Sequence, residues 1–140
     1  MKQSIGRLNL FVLFMAMVMV LGCADREEVS RELVKEGKRL LAFGRNDEAR
    51  EKFELAARRD RRNFEAWFYI GNMHVTNREY EESLEYYERT IELKPDFARA
   101  WYNLGLVWFY LDDQHKACEH WKHAEKLGHP NISDRTRHCP

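Results

Sequence analysis

The sequence contains few of the residues from which catalytic and metal sites are usually built. Only three of its 140 residues are cysteine, and it has neither a Cys-x-x-Cys pair nor a His-Glu-x-x-His motif, so two common zinc-binding patterns are missing. The seven glycines are scattered and form no phosphate-binding loop. These absences count against an enzyme, and we predict no catalytic residue, no metal and no cofactor.

The chain also lacks an excess of either charge, with 23 Lys+Arg against 23 Asp+Glu. A nucleic-acid-binding surface needs a concentrated basic face, so nucleic acid is not an expected partner. No segment alternates apolar and polar residues over the length of a strand. We therefore expect an all-helical protein.

The longest apolar run is too short to cross a membrane. Lys2 and Arg7 precede twelve apolar residues, 10–21, whereas a membrane-spanning helix needs about 20. A basic start, a short apolar core and a small residue predict a signal peptide over residues 1–22. An uncleaved anchor helix is the alternative.

The end of this run, Val-Leu-Gly-Cys at 20–23, resembles the lipobox of bacterial lipoproteins. The resemblance implies that Cys23 becomes the first mature residue and carries lipid chains, with 23–29 as a tether. Two or more such chains give stable anchoring. The expected location is the bacterial cell envelope. Ala24 and Asp25 favour the outer membrane, facing the periplasm, over the inner membrane by the sorting rules of that family. An ordinary secreted protein is the alternative.

A period of 34 residues organises the rest of the chain. The segment "AWFYIGNMH" at 66–74 aligns with "AWYNLGLVW" at 100–108. Within each unit, apolar and small residues recur at the spacing of three and four that is typical of helices. The three units and the tail that follows them are 30–63, 64–97, 98–131 and 132–140.

This period resembles the tetratricopeptide repeat, a helix–turn–helix unit of 34 residues. The signature places of the third unit hold Trp101, Leu104, Gly105, Trp108, Ala117, Trp121 and Ala124. Those of the second hold Trp67, Ile70, Gly71, His74, Ser83, Tyr87, Thr90 and Pro95. The first unit keeps Gly37, Leu40, Ala49, Phe53 and Ala56. The resemblance implies an all-α, right-handed α-solenoid of three units and six helices.

The resemblance also implies a protein-interaction module, because the first helix of each unit in such solenoids lines a concave groove. Carried over residue by residue, this groove is lined by Arg31, Val34, Lys38, Leu41, Glu65, Phe68, Asn72, Val75, Arg99, Tyr102, Leu106 and Phe109. Aromatic and arginine side chains often anchor binding. We therefore expect a peptide or helix of a protein partner at the envelope, with a role in envelope assembly. The alternatives are that part of this strip is core, and that the chain is a structural module that forms a homo-oligomer.

The tail after Gly128 is too short for another unit and is expected to cap the solenoid. Export would place Cys118 and Cys139 where disulfides persist. The helix from Cys118 to Gly128 is short enough, and an extended chain from Gly128 to Cys139 is long enough, for the two cysteines to meet. A disulfide between them is therefore possible, with two free thiols as the alternative.

Two further clusters have ordinary interpretations. His120 and His123 are three residues apart on a predicted helix and could share a face, but solvated helix surface is the simpler interpretation. The run "RRDRR" at 58–62 is an exposed turn, or a contact with anionic lipid headgroups if the protein is tethered to a membrane.

Overall fold

The computed structural model describes residues 12, 25–130, 132–137 and 139. Over this part of the chain the regular structure is entirely helical. The first helix, α1, is described over 25–42. The helices after it are α2 (Asn46–Arg59), α3 (Phe64–Thr76), α4 (Tyr80–Leu93), α5 (Ala98–Tyr110), α6 (Gln114–Lys126) and α7 (Ser133–Thr136). This confirms the predicted α-solenoid.

The turn inside each helix pair repeats with the sequence period. Gly44, Arg78 and Asp112 lie 34 residues apart, and all three have a left-handed backbone, with φ of 72°, 64° and 61°. In each turn the next residue donates its N–H to a carbonyl five residues earlier, as from Glu79 to His74 at 3.0 Å. The left-handed conformation costs a non-glycine residue about 1 kcal/mol, so the helix pairing imposes this turn even where glycine is missing.

The close approach of paired helices depends on a glycine beneath an aromatic ring. Gly37 lies under Phe53, and Gly105 lies under Trp121. A Cβ atom on these glycines would fall 2.6 Å and 2.3 Å from the nearest ring atom. The two rings are 0% and 3% exposed. The small residue therefore sets the distance between the helices, as the repeat pattern predicts.

Hydrogen bonds fix the junction between the first and second units. The Ser30 hydroxyl donates to the Ala56 carbonyl at 2.9 Å and accepts from Asn63 Nδ2 at 2.8 Å. Asn63 also caps α3 by accepting the Ala66 N–H at 3.3 Å, as its position before the helix favours. Trp67 Nε1 donates to the Arg61 carbonyl at 3.0 Å. The loop between α2 and α3 is thus held against α1.

The tail covers the end of the solenoid. Ile132 is 3% exposed and packs against Ala117, Trp121 and Ala124. The structure joins Cys118 and Cys139 in a disulfide, with their Cα atoms 5.5 Å apart. The short helix α7 therefore lies where a further unit would otherwise pack.

Candidate functional site

The surface made by the first helix of each unit (α1, α3 and α5) is here called the first-helix face. Where α1 meets α3 on this face, Lys38 Nζ lies 4.0 Å from Glu65 Oε1 and 5.7 Å from the centroid of the Tyr69 ring. The Lys38 and Glu65 side chains are 46% and 40% exposed, and exposed pairs of this kind contribute under about 1 kcal/mol. The Lys38 cation is therefore accessible to a ligand.

A polar cluster joins α3, α4 and α5 at the centre of this face. Tyr87 donates its hydroxyl hydrogen to Asn72 Oδ1 at 2.7 Å, and Asn103 Nδ2 donates to the same oxygen at 2.9 Å. Burial raises the pKa of the Tyr87 phenol far above its ordinary value and outweighs the opposing effect of its hydrogen bond with Asn103. The phenol therefore stays protonated and keeps Asn72 oriented.

This orientation leaves two amide atoms unused. Neither Asn72 Nδ2 nor Asn103 Oδ1 has a hydrogen-bond partner among the described residues. No fully buried side-chain nitrogen or oxygen in that part of the chain lacks a partner, so each of these two atoms keeps some contact with solvent. The centre of the face thus offers one donor and one acceptor.

The sequence predicted Asn72 but missed Asn103. Asn103 is 34 residues after Tyr69 and so occupies the same repeat place. Tyr69 contacts Lys38, and Asn103 contacts Asn72, in each case 31 positions earlier. Contacts between consecutive units therefore follow an offset of 31. That offset is the signal that could have identified Asn103.

One repeat place assigned to the groove lies in the core instead. Val34 and Phe68 are 1% and 2% exposed, because this place faces the following unit. Phe68 meets the Phe97 ring edge-on, with centroids 5.0 Å apart. Tyr102 holds the same place in the third unit and is half-buried, and the tail's His129 stacks on it at 4.3 Å. The prediction that Phe68 contacts a partner is therefore wrong, and the tail covers one side of Tyr102.

Arg99 lies at the edge of the polar cluster. Its guanidinium carbon is 4.9 Å from the Phe68 ring centroid and 5.5 Å from that of Phe97. Cation–π contacts of this kind position an arginine side chain without occupying its N–H donors. Arg99 is exposed, so its donors are available beside Asn103.

The remaining predicted residues contribute apolar surface. Leu41, Val75 and Leu106 are half-buried and pack on the three core clusters. Phe109 is 46% exposed, with its ring centroid 5.9 Å from that of Trp121. Arg31 is exposed and pairs with Glu27 at 3.6 Å. The first-helix face therefore combines a polar centre with an apolar margin.

The histidines pack against an indole. The ring centroids of His120 and His123 lie 5.7 Å and 3.9 Å from that of Trp101. Burial lowers the pKa of His120, so this ring is neutral near pH 7. In the residues that the structure describes, no three His, Cys, Asp or Glu side chains come together as a metal site.

Sequence reasoning also missed a cleft of about 840 Å³ on the opposite face, between α2 and α4. Trp67, Ile70 and Tyr86 line its floor, and glutamates and arginines of the second helices line its rim. Alternating charges on a helix face are normally read as solvated surface. The sequence therefore gave no signal for this cleft.

Most of the predicted anchor lies outside the described residues. That holds for the signal peptide apart from residue 12, and for Cys23 and Ala24. Residues 25–29, assigned to the tether, are helical and belong to α1, where Glu27 and Arg31 pair one turn apart. No helix in the described ranges combines the length and the apolar character needed to cross a bilayer.

Several solved structures share this architecture. The crystal structure of MamA superposes with a TM-score of 0.70 at 23% identity, over 76% of this chain and 64% of that one. The second TPR of Spaghetti (RPAP3), bound to the HSP90 peptide SRMEEVD, gives a TM-score of 0.76 at 14% identity, over 80% of this chain and 96% of that one. At these identities the likeness shows the fold alone.

Curated relatives match over a shorter segment. The photosystem I assembly protein Ycf3 of Acaryochloris marina (strain MBIC 11017) is 28% identical over an alignment of 79 residues, and the match covers 46% of this chain and 48% of the relative. That of Cuscuta gronovii is 32% identical over 72 aligned residues, and the match covers 41% of this chain and 43% of the relative. The chain thus spans about half the length of the curated relatives it matches.

The family profile for the tetratricopeptide repeat matches residues 34–96 and 74–115, which together exceed half of the chain. The 34-residue period of the turns and the glycine-under-aromatic packing agree with that match. This chain belongs to the tetratricopeptide repeat family.

Proposed function

We propose that the protein is a lipid-anchored interaction module of a bacterial envelope, which holds a peptide or helix of a partner on its first-helix face. The observation that carries the proposal is the free pair Asn72 Nδ2 and Asn103 Oδ1 at the centre of that face. One donor beside one acceptor complements the N–H and C=O groups of a peptide backbone. The site would therefore recognise main chain and tolerate varied side chains.

The surroundings of this pair define the ligand further. Lys38 and Arg99 are exposed cations on either side of Asn72 along the row of first helices, and they favour acidic side chains or a C-terminal carboxylate. Leu106 and Phe109 add apolar surface. We expect a peptide with an acidic portion near Lys38 or Arg99 and an apolar portion near Phe109.

The comparisons support a role in handling other proteins. One structural neighbour, the second TPR of Spaghetti (RPAP3), holds a peptide of HSP90. The matched curated relatives are photosystem I assembly proteins. An assembly role at the envelope is consistent with both. Such a role would use both the groove and the membrane anchor that the lipobox-like segment at 20–23 predicts.

Substituting Asn72 with aspartate is expected to weaken partner capture at least tenfold without unfolding the protein. The carboxylate still accepts from Tyr87 and Asn103 but removes the outward donor. The test places a photo-crosslinking residue at Leu106, in otherwise native and Asn72→Asp chains, and crosslinks in native envelopes. We expect one adduct that Asn72→Asp weakens at least tenfold, the loss of roughly one hydrogen bond to a peptide in a low-dielectric site.

The matched control carries the crosslinker at Glu88, on the opposite face of the unit that contains Asn72. An adduct that forms equally well from Glu88, or that survives Asn72→Asp unchanged, would contradict binding on the first-helix face. In that case the cleft between α2 and α4 becomes the better candidate.

Substituting Cys23 with serine is expected to release the protein from membranes. A serine hydroxyl cannot carry the thioether-linked lipid, and two or more alkyl chains are what make anchoring stable. Fractionation of cells grown with a labelled fatty acid should show label and membrane association in the wild type and neither in Cys23→Ser. Labelling of Cys118→Ser is the control and should equal that of the wild type. Unchanged membrane association of Cys23→Ser would instead support the uncleaved anchor helix.

Self-association is a second candidate, because three large apolar side chains outside the polar centre are exposed. Phe43, Phe109 and Tyr110 are 75%, 46% and 52% exposed. A molecular mass that rises with concentration, and that falls to the monomer value in Phe43→Ser, would favour this candidate.

A further inference from the structure

A basic cleft of about 720 Å³ lies where α1 meets the loop between α2 and α3. Its arginines come from two distant parts of the sequence, and five arginines against two carboxylates give its lining a net charge of +3. The lining residues are Arg26, Glu27, Arg58, Arg59, Asp60, Arg61 and Arg62.

The carboxylates of this cleft leave most of its guanidinium groups unpaired. Glu27 pairs with Arg31 at 3.6 Å, outside the lining. Asp60 Oδ1 accepts the backbone N–H of Arg62 at 2.9 Å. Of the four arginines at 58–62, only Arg58 has a carboxylate partner within 4.0 Å in the described part of the chain, namely Glu54 at 3.5 Å. All five arginines are exposed.

The loop that carries this charge is rigidly placed. Its Arg61 carbonyl accepts the Trp67 indole N–H at 3.0 Å, and Asn63 at its end is bonded to Ser30 on α1. The N-terminus of α3 adds the positive end of its helix dipole on the same side. The backbone that carries Arg61 and Arg62 is therefore held in place before any ligand binds.

The repeat architecture does not require this charge. The corresponding loop of the next unit carries Lys94, Pro95 and Asp96, and there Lys94 Nζ pairs with Asp96 at 2.9 Å. Its indole-to-carbonyl bond, from Trp101 to Pro95, is kept at 2.7 Å. The same loop geometry thus forms without a cationic excess, and of these two described junctions the first carries the excess.

That junction is the part of the described structure that follows the apolar run 10–21 most closely in sequence. Arg26 is three residues after Cys23, so at full extension at most about 11 Å separates their Cα atoms. If the preceding segment is held in a bilayer, the basic cleft lies at the headgroup level. The geometry points to the basic cleft as a docking surface for the anionic phospholipid headgroups of the membrane that anchors the chain, an inference that rests on the anchoring proposed above.

Each arginine near an anionic surface strengthens membrane binding roughly fivefold. The anchor would then fix the distance to the bilayer, and the cleft would fix the orientation. A protein held at two points cannot rotate freely about its tether, so the first-helix face would keep one direction relative to the membrane.

The test uses the full chain, purified in detergent and reconstituted into phosphatidylcholine vesicles with or without phosphatidylglycerol. Vesicles are floated, and the bound protein is digested briefly with trypsin. The measured quantity is the rate of cleavage after Arg61 divided by the rate after Arg78, an exposed site in the α3–α4 turn of the same molecule. We expect this ratio to be roughly tenfold lower on anionic vesicles and to recover at high salt.

Two variants locate the effect. Arg26→Gln with Arg59→Gln and Arg62→Gln lowers the lining charge to zero, keeps the Arg61 cleavage site and should abolish the dependence on lipid charge. The control removes three exposed cations elsewhere, by Lys35→Gln, Arg39→Gln and Lys126→Gln, and should preserve it. Equal circular dichroism of the three proteins shows that folding is intact.

A ratio that is equal on both kinds of vesicle would overturn the inference while leaving the anchor intact. Protein that floats with neither vesicle would overturn both the inference and the anchoring. Equal protection by inorganic phosphate on neutral vesicles would overturn it in favour of a soluble-anion site.

Discussion

Alanine at position 105 is expected to lower the free energy of unfolding by about 2 kcal/mol, even though alanine is the better helix former. Its Cβ would lie 2.3 Å from both Cδ1 and Nε1 of Trp121. The indole is 3% exposed and donates to the Tyr102 carbonyl at 3.2 Å, so it cannot withdraw without losing that bond. Overpacking costs about 1–3 kcal/mol and sometimes more, whereas the gain in helix propensity is only about 1 kcal/mol.

Urea denaturation of Gly105→Ala measures this loss, and Gly71→Ala is the matched control. At Gly71 the added Cβ would lie 2.9 Å from Tyr87 Cε1 and at least 3.1 Å from the other nearby ring atoms. Tyr87 is also buried and hydrogen-bonded, but this contact is less short than the 2.3 Å approach at Gly105, so the ring has to move less and we expect a loss within about 1 kcal/mol. Equal losses in the two variants, or a Gly105→Ala protein as stable as the wild type, would refute the steric explanation. The double variant with Trp121→Phe should cost less than the sum of the two single changes.

Removing the tail disulfide is expected to cost about 3 kcal/mol. The Cys118–Cys139 pair closes a loop over a sequence separation of 21 residues, and the chain-entropy relation gives this value for such a loop. Without the bond, the four-residue helix α7 is held by the burial of Ile132, by the hydrogen bond from Thr136 to Glu125 at 3.0 Å, and by Arg135 over the Trp121 ring at 5.1 Å. Cys118→Ser with Cys139→Ser should therefore lower the urea midpoint and speed tryptic cleavage after Arg135.

Reductant supplies the control for this variant. The reduced wild type should match the double variant, and reductant should leave the double variant unchanged. Peptide mapping without reduction should recover Cys118 and Cys139 in one linked product. Two free thiols in the exported protein would show that the pair does not form.

The period in the sequence predicted the parts of the fold that depend on one unit at a time. Gly71 and Tyr87, or Gly105 and Trp121, meet inside a unit, so their spacing is visible in the repeat itself. Contacts between units are less visible, because they depend on how far one helix pair rotates on the next. Phe68 shows this: its repeat place was assigned to the groove, but its ring packs onto Phe97, the residue that caps α5 of the next unit.

The residues of the candidate site likewise divide into those whose position one unit determines and those whose role depends on two units. Lys38, Asn72 and Arg99 could be placed on the first-helix face because family position alone determines which helix carries them. Asn103 lies on a first helix too, but its role arises from a hydrogen bond across units with Asn72, and the offset of 31 that reveals this pairing comes from the structure. The basic cleft likewise combines Arg26 with residues more than thirty positions away, a proximity that the loop composition alone does not reveal.

The covered end of the solenoid limits how copies of this protein can associate. Head-to-tail stacking, in which the last unit of one copy receives the first unit of the next, would produce an open-ended filament. That contact needs the surface now occupied by Ile132 and α7. While the Cys118–Cys139 bond holds α7 on that surface, head-to-tail stacking of this kind is blocked, and self-association has to use another surface.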